Sequence, residues 1–384
     1  MKKPQIKMRI VDSYTDDNEQ DFYANQFVKI LSKKYNIIYS EKPDFIIFGG
    51  FNSIHAKTHF LDYDCVRIFQ TGENIRTDWN LADYGIDFDF MDFGDRHLRL
   101  PHYCMSVQEH NKRPMNKREK FCAYIVSNGG LRGIHYLRED FFKKLNTYKK
   151  VDSGGRHRNN IGHFVEDKHK WLQNYKFNLC FENSSYPGYL TEKLFDAYNA
   201  GCVPIYWGDT SLRVGFADNA GGGGFDISDT ECIDMRVPEI PLHLIEYKIN
   251  PKAFINAHNF PNLNALLEEV KRIDNDDKAY EAMRNESLFL DNFNPNEFYE
   301  KKIFKFFDYI FSQGADLAFR RGVGQHLASY QHRIKAGLNL SKDALNVAKF
   351  ITLMQRKGTN KFTKKWTKMI KKLKFWSKGL NFKA

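Results

Sequence analysis

The sequence predicts an α/β chain of two successive units, each a mostly parallel sheet with layers on both faces, ending in a basic helical tail. Three observations carry this expectation. Short apolar runs alternate with amphipathic or polar stretches from the first residues onward. The alternation is interrupted at 107–120 by VQEHNKRPMNKREK, polar, basic and proline-containing, and then restarts; such a segment suits a linker. Beyond Gly314 the sequence becomes lysine-rich with almost no acid. The expected division is 1–114, 115–314 and a helical extension at 315–384.

The 384 residues are enough for two ordinary domains and an extension. At 42% hydrophobic and 15% aromatic, sizeable cores can be buried. The net charge of +11 is a property of one end: 17 of the 58 basic residues lie in 315–384 beside only Asp316 and Asp343, so the remainder carries more acid than base. A nucleic-acid footprint over the folded body is therefore unsupported. No apolar run reaches the length of a spanning helix. The opening MKKPQIKMRIVDSY has no apolar core of a secretory signal. The six cysteines (65, 104, 122, 180, 202 and 232) form no CxxC pair, and read as buried thiols in a reducing compartment.

Taken in order, Lys7 to Tyr14 reads as a first strand and Asp21 to Lys33 as a helix. Asn36 to Tyr39, Asp44 to Phe48 and Cys65 to Gln70 read as strands, the last running into Thr71-Gly72-Glu73-Asn74. Tyr84 to Phe90 is the last strand expected in the first unit. After the linker come a strand at Phe121 to Ser127, a helix at Gly133 to Asn146, and a short strand at Lys150 to Asp152. That strand opens onto Ser153-Gly154-Gly155-Arg156-His157-Arg158. Trp171 and Leu172 fall on a short helix. Gly221 to Gly224 reads as a loop, and Phe293 to Phe311 as a helix across the domain junction.

The stretch KFNLCFENSSYPGYLTEKLFDAYNAGCVPIYWGD, 176–209, organises the rest. Phe177 to Phe181 is a buried strand by its apolar run. Asn183, Ser184, Ser185, Pro187 and Gly188 mark a loop. Thr191 is the expected N-cap, with Glu192 in the first turn where the helix dipole favours negative charge. Gly201 ends the helix and Val203 to Trp207 is the next strand. Strand, polar loop and helix start suit a phosphate-bearing ligand at the carboxyl end of a parallel sheet.

FENSSYPGYLTEKLFDAYNAGCVPIYWGD resembles the signature of the family 10 glycosyltransferases, the α-1,3/4-fucosyltransferases. RIFQTGEN (67–74) is similar to the motif of that family's amino domain. The resemblance implies the GT-B arrangement, two Rossmann-like halves facing across a cleft. It also implies inverting transfer of L-fucose from GDP-β-L-fucose to N-acetylglucosamine of N-acetyllactosamine-type glycans, without a metal or other cofactor.

Such a transfer needs a base for the acceptor hydroxyl and cations or N–H donors for the departing diphosphate. By position alone Glu73 is more readily a surface glutamate in a turn; the resemblance reverses this and makes it the base. Arg158, in GGRHRNN, and Lys193, at the helix start, are either solvated cations or diphosphate clamps, and the family pattern favours the second reading. Arg156 competes with Arg158 for that role. Glu192 matches a donor-binding glutamate, and a first-turn glutamate also satisfies the helix dipole. Asn183 and Tyr189 match positions that contact the nucleotide sugar. Glu182 is read as adjacent to that site. Asp87-Phe88-Asp89 and Asp274-Asn275-Asp276 have Asp-x-Asp spacing, but in a strand and a helix-rich segment they are read as chance. His110, His135 and His157 lack metal-ligand spacing.

Phe362, Trp366, Met369, Ile370 and Leu373 recur at helical spacing among nine lysines in 361–384. An interfacial membrane helix, a solvated tail and an oligomerisation or nucleic-acid arm all share that pattern; the first is favoured, with an anionic membrane surface as partner. The resulting expectation is a cytoplasmic enzyme held peripherally on the membrane. Its alternatives are a GT-B transferase with another nucleotide sugar, and an inactive glycan- or membrane-binding relative, for which a base has no use.

Overall fold

The computed structural model describes residues 2–13, 18–49, 58–105, 113–127, 136–212 and 248–337. Residues 1–50 and 65–321 form one compact unit; 51–64 and 322–384 form a second. Both sheets belong to the first.

The amino-terminal sheet has six parallel strands in the order β2-β1-β3-β4-β5-β6. They are β1 Gln5–Val11, β2 Asn36–Tyr39, β3 Phe45–Phe48, β4 Val66–Gln70, β5 Tyr84–Asp87 and β6 His97–Arg99. β3 and β4 are central and almost wholly buried, which is why they read as near-continuous apolar runs. The helix expected over Asp21–Lys33 is two, α1 Glu19–Ala24 and α2 Gln26–Leu31. Asn25 breaks it: its backbone is extended and its side chain accepts from the Phe27 N–H at 2.9 Å, an N-cap inside an apolar periodicity. β5 stops at Asp87, short of Phe90, because the Asp87 carboxylate turns the chain by accepting from Thr77 and from the Asp89 N–H. β6, a further strand of this sheet, was not expected; Leu98 is its single apolar residue.

The second sheet is also parallel, in the order β11-β10-β9-β7-β8. Its strands are β7 Lys120–Tyr124, β8 Val151–Ser153, β9 Tyr175–Phe181, β10 Val203–Trp207 and β11 Ile255–Asn256. From β7 the chain adds β8 on one side and β9 on the other, so the carboxyl ends of β7 and β9 form a topological switch point. Helices α3 Tyr136–Tyr148, α4 Lys168–Leu172, α5 Glu192–Asn199, α6 Leu263–Asn275 and α7 Asp277–Asn285 accompany it.

The last long helix, α8 Pro295–Ser312, leaves the second sheet and covers the first. Phe307 packs on Phe27, Phe311 on Tyr35 and Phe45, and Phe306 on Tyr84.

The described part of the basic linker, 113–119, is tied down by arginines. Arg113 donates to Tyr198 O at 2.7 Å, and Arg118 to Ala200 O at 2.9 Å. Arg284 returns the favour to the linker, donating to Pro114 O and Asn116 O. Cations thus satisfy carbonyls at the carboxyl end of α5. Gly201, at φ +79°, follows that helix against Arg118 and Pro114, where a side chain would collide.

Cys122, Cys180 and Cys202 are buried free thiols, and Cys65 is half-buried. Burial raises the Cys202 thiol to about 12. The other two cysteine side chains, Gly221–Gly224 and most of the basic tail lie outside the described residues. Residues 325–337 are helical. Among the described residues no helix is long and apolar enough to cross a membrane.

Candidate active site

Loops at the carboxyl ends of β4 and β9 meet. The turn after β4 places Glu73, whose backbone N–H donates to Thr71 Oγ1 at 3.0 Å. The loop after β9 places Asn183, whose Nδ2 donates to Glu73 Oε2 at 3.0 Å. Beside this bond, Asn74 Nδ2 donates to Ser184 Oγ at 2.9 Å. Tyr189 is buried and its hydroxyl donates to Asn183 Oδ1 at 2.9 Å. Burial and the neighbouring carboxylates of Glu182, Glu73 and Glu192 push the Tyr189 phenol far above its usual value. Phe88, just past β5, packs on the rings of Tyr186 and Tyr189.

At the start of α5 lies a second cluster. The Glu182 carboxylate is wholly buried and accepts from the Thr191 N–H at 2.8 Å and from Lys193 Nζ at 2.9 Å. Thr191 is the N-cap residue, as its position in the sequence suggests, but its hydroxyl donates to Glu182 rather than capping the helix. Lys193 also contacts Thr191 Oγ1 at 2.8 Å and Glu192 Oε1 at 3.3 Å. Burial works against the Lys193 charge, yet Glu182 and Glu192 raise its affinity for the proton. Burial raises the Glu182 carboxyl, with Lys193 and Thr191 pulling the other way. Glu192 behaves oppositely: burial opposes its charge, but Lys193, Lys168, its backbone N–H and His102 bring its carboxyl down to about 2.

Arg158 is held by a residue of α3 rather than by these clusters. It adopts φ +57°, unusual for a residue with a side chain, and its exposed guanidinium pairs with Glu139 at 2.9 Å. His157 joins the same carboxylate at 2.8 Å. Arg156 is exposed and makes no ion pair among the described residues. Neighbouring Asp-x-Asp carboxylates are engaged elsewhere. Asp87 faces His97 at 2.9 Å and Asp89 pairs with Arg76 at 2.6 Å. Asp274 takes Lys149 and Lys176, and Asp276 caps α7.

One cation beside the site was missed from the sequence. Arg138 on α3 is 5% exposed, and its Nε and Nη2 donate to Phe181 O, the last carbonyl of β9, at 3.0 and 2.8 Å. No carboxylate lies within ion-pair distance of it among the described residues. Burial lowers its guanidinium from the usual value, against the pull of Tyr124, Glu182 and Tyr189. In the first turns of an amphipathic helix it looks like any solvated arginine, so the sequence held no signal for it.

A model of the α-(1,3)-fucosyltransferase FucT N-terminal domain matches residues 10–106, and one of the glycosyltransferase family 10 (fucosyltransferase) C-terminal part matches 115–217, together just over half of the chain. The chain belongs to glycosyltransferase family 10. The α-(1,3)-fucosyltransferase FucT of Helicobacter pylori is 30% identical over 323 residues, covering 74% of this chain and 60% of that relative. A putative fucosyltransferase of Acanthamoeba polyphaga mimivirus is 27% identical, over 70% of this chain and 43% of its own length. The chain thus spans about 60% or less of these two relatives. Among solved structures, an α1,3-fucosyltransferase crystallised with GDP-fucose is 27% identical at a TM-score of 0.58, over 80% of this family 10 chain and 91% of that one. The two Rossmann-like parallel sheets are those of the GT-B fold.

Proposed function

We propose that this family 10 member is an inverting α-1,3(/4)-fucosyltransferase that uses GDP-β-L-fucose, with N-acetylglucosamine of N-acetyllactosamine-type glycans as acceptor. The observation that carries this reading is the meeting of Glu73 with Asn183 across the two loops, beside a helix start rich in charge. The relative crystallised with GDP-fucose supports the donor.

In this mechanism Glu73 takes the proton of the acceptor hydroxyl. The hydroxyl oxygen attacks the anomeric carbon from the face opposite GDP, and the carbon–oxygen bond to the β-phosphate breaks with its electron pair leaving on GDP. One base suffices because no covalent intermediate forms. Lys193, Arg158 or Arg156, and Arg138 would compensate the leaving diphosphate. Glu192, Asn183 and Tyr189 would meet the nucleotide sugar, with Glu182 holding Lys193. The reaction needs no metal in this scheme. The tail at 361–384 would hold the enzyme on an anionic membrane face.

The test is transfer from GDP-fucose, and separately from other GDP- and UDP-sugars, to N-acetyllactosamine and its type 1 isomer, with and without chelator. Chelator-resistant product from GDP-fucose alone supports the reading. Glu73→Gln is expected to lower transfer about 10²–10⁴-fold while GDP-fucose still binds. Product from another donor alone refutes the donor assignment, and an active Glu73→Gln refutes the base.

A further inference from the structure

The two loops are joined by a closed circuit of hydrogen bonds whose direction chemistry dictates. An ionised carboxylate only accepts, so the Asn183 atom at 3.0 Å from Glu73 Oε2 is the amide nitrogen. Its oxygen then faces two hydroxyls, Tyr189 at 2.9 Å and Ser184 at 3.1 Å, and both donate to it. Ser184, its hydrogen committed, accepts at 2.9 Å from Nδ2 of Asn74, the residue next to Glu73. The circuit therefore leaves residues 73–74, crosses to 183–184 and returns. Tyr189 anchors it from a buried position.

We propose that Asn183 is a positioning residue for the base: its amide, oriented by the Tyr189 and Ser184 hydroxyls, holds Glu73 Oε2 and sets the direction in which the carboxylate meets the acceptor hydroxyl. The proposal rests on the reading of Glu73 as base. It adds to the donor-binding role read for Asn183, and unlike that role it acts on kcat. A residue from the nucleotide-sugar side thereby decides whether the base on the other side is aimed. Misaiming a reacting group by about 1 Å costs on the order of 100-fold.

The variant that separates the roles is Asn183→Asp in the full chain. It keeps the shape and the acceptor for both hydroxyls, but the carboxylate has no N–H to give Glu73. Expected is a fall in kcat of about 100-fold, well beyond any loss of GDP affinity read by calorimetry, because Asn183 is also read as meeting the nucleotide sugar. A double-mutant cycle on thermal unfolding then reads whether residues 183 and 73 are coupled at all, while the split between kcat and GDP affinity separates positioning from a merely structural role. Asn183→Asp should lower the midpoint when Glu73 is present. It should lower it much less beside Glu73→Gln, whose amide donates to the new carboxylate and restores the bond in reverse. A kcat within threefold of wild type, a matching loss of GDP affinity, or equal midpoint shifts in both backgrounds would each overturn the proposal. An active Glu73→Gln single variant would instead remove the base reading and the proposal with it. An inactive one with uncoupled midpoints would sink the positioning role alone.

Discussion

The wholly buried carboxylate of Glu182 and the ammonium of Lys193 lie 2.9 Å apart at the start of α5. Removing one charge of such a pair costs about 3–5 kcal/mol where nothing replaces it, and here Glu192 stays 3.3 Å from Lys193. Glu182→Gln keeps the volume and part of the hydrogen bonding, so about 3 kcal/mol is expected. Urea unfolding reads it. A loss near zero would mean that Thr191 and Glu192 hold Lys193 unaided.

Arg138 poses the reverse case, a buried cation on the Phe181 carbonyl with no carboxylate paired to it among the described residues. Burying a charge in that way is unfavourable. Arg138→Met should therefore leave the melting temperature unchanged or raise it. The same change should weaken GDP binding by roughly 10–100-fold, the equivalent of one charge-assisted hydrogen bond at about 1.5–3 kcal/mol. Calorimetry with GDP and a thermal scan measure the two effects. Unchanged affinity with lower stability would make Arg138 a purely structural residue.

Glu192 gives a pH dependence with a definite sign. Its carboxyl is at about 2 in the fold against 4.5 for an ordinary glutamate. A depressed acid stabilises the fold above its unfolded value, and that stability disappears as pH falls through the folded value. Between about 4.5 and 2, wild type should lose more stability than Glu192→Gln. Parallel acid titrations of the unfolding free energy of the two proteins provide the comparison; superimposable curves would contradict the assignment.

Deleting residues 361–384 should leave transfer to a soluble acceptor within about twofold, since the removed segment is remote in sequence from every candidate site residue. Co-sedimentation with vesicles containing anionic lipid should be lost, because each lysine near such a surface contributes about 1 kcal/mol. Undiminished co-sedimentation would assign membrane attachment to another surface.

Much of the second sheet was legible because its strands are long or wholly apolar. β9 and β10 stand within a residue or two of their expected limits, and Gly201 marks the end of α5 as a backbone at positive φ requires. β6 was not legible: three residues with one apolar side chain carry no alternation, and the strand exists because β5 offers it an edge. The split of the first helix was hidden for the opposite reason, since apolar residues continue on either side of the capping Asn25. For the site, the resemblance to the family motifs pointed to Glu73, Asn183 and Tyr189, which the fold brings together. It did not foresee that Lys193 would turn onto Glu182, or Arg158 onto Glu139, because ion pairing depends on residues distant in sequence.

The placement of α8 has a consequence for synthesis of the chain. The aromatic faces of Tyr35, Phe45 and Tyr84 are covered by Phe306 and Phe311, more than two hundred residues downstream. At about 5–20 residues per second, the ribosome supplies that cover roughly 10–40 s after the first sheet is complete. During that interval the nascent chain carries an open aromatic surface, and a stop codon anywhere before Pro295 would make the exposure permanent.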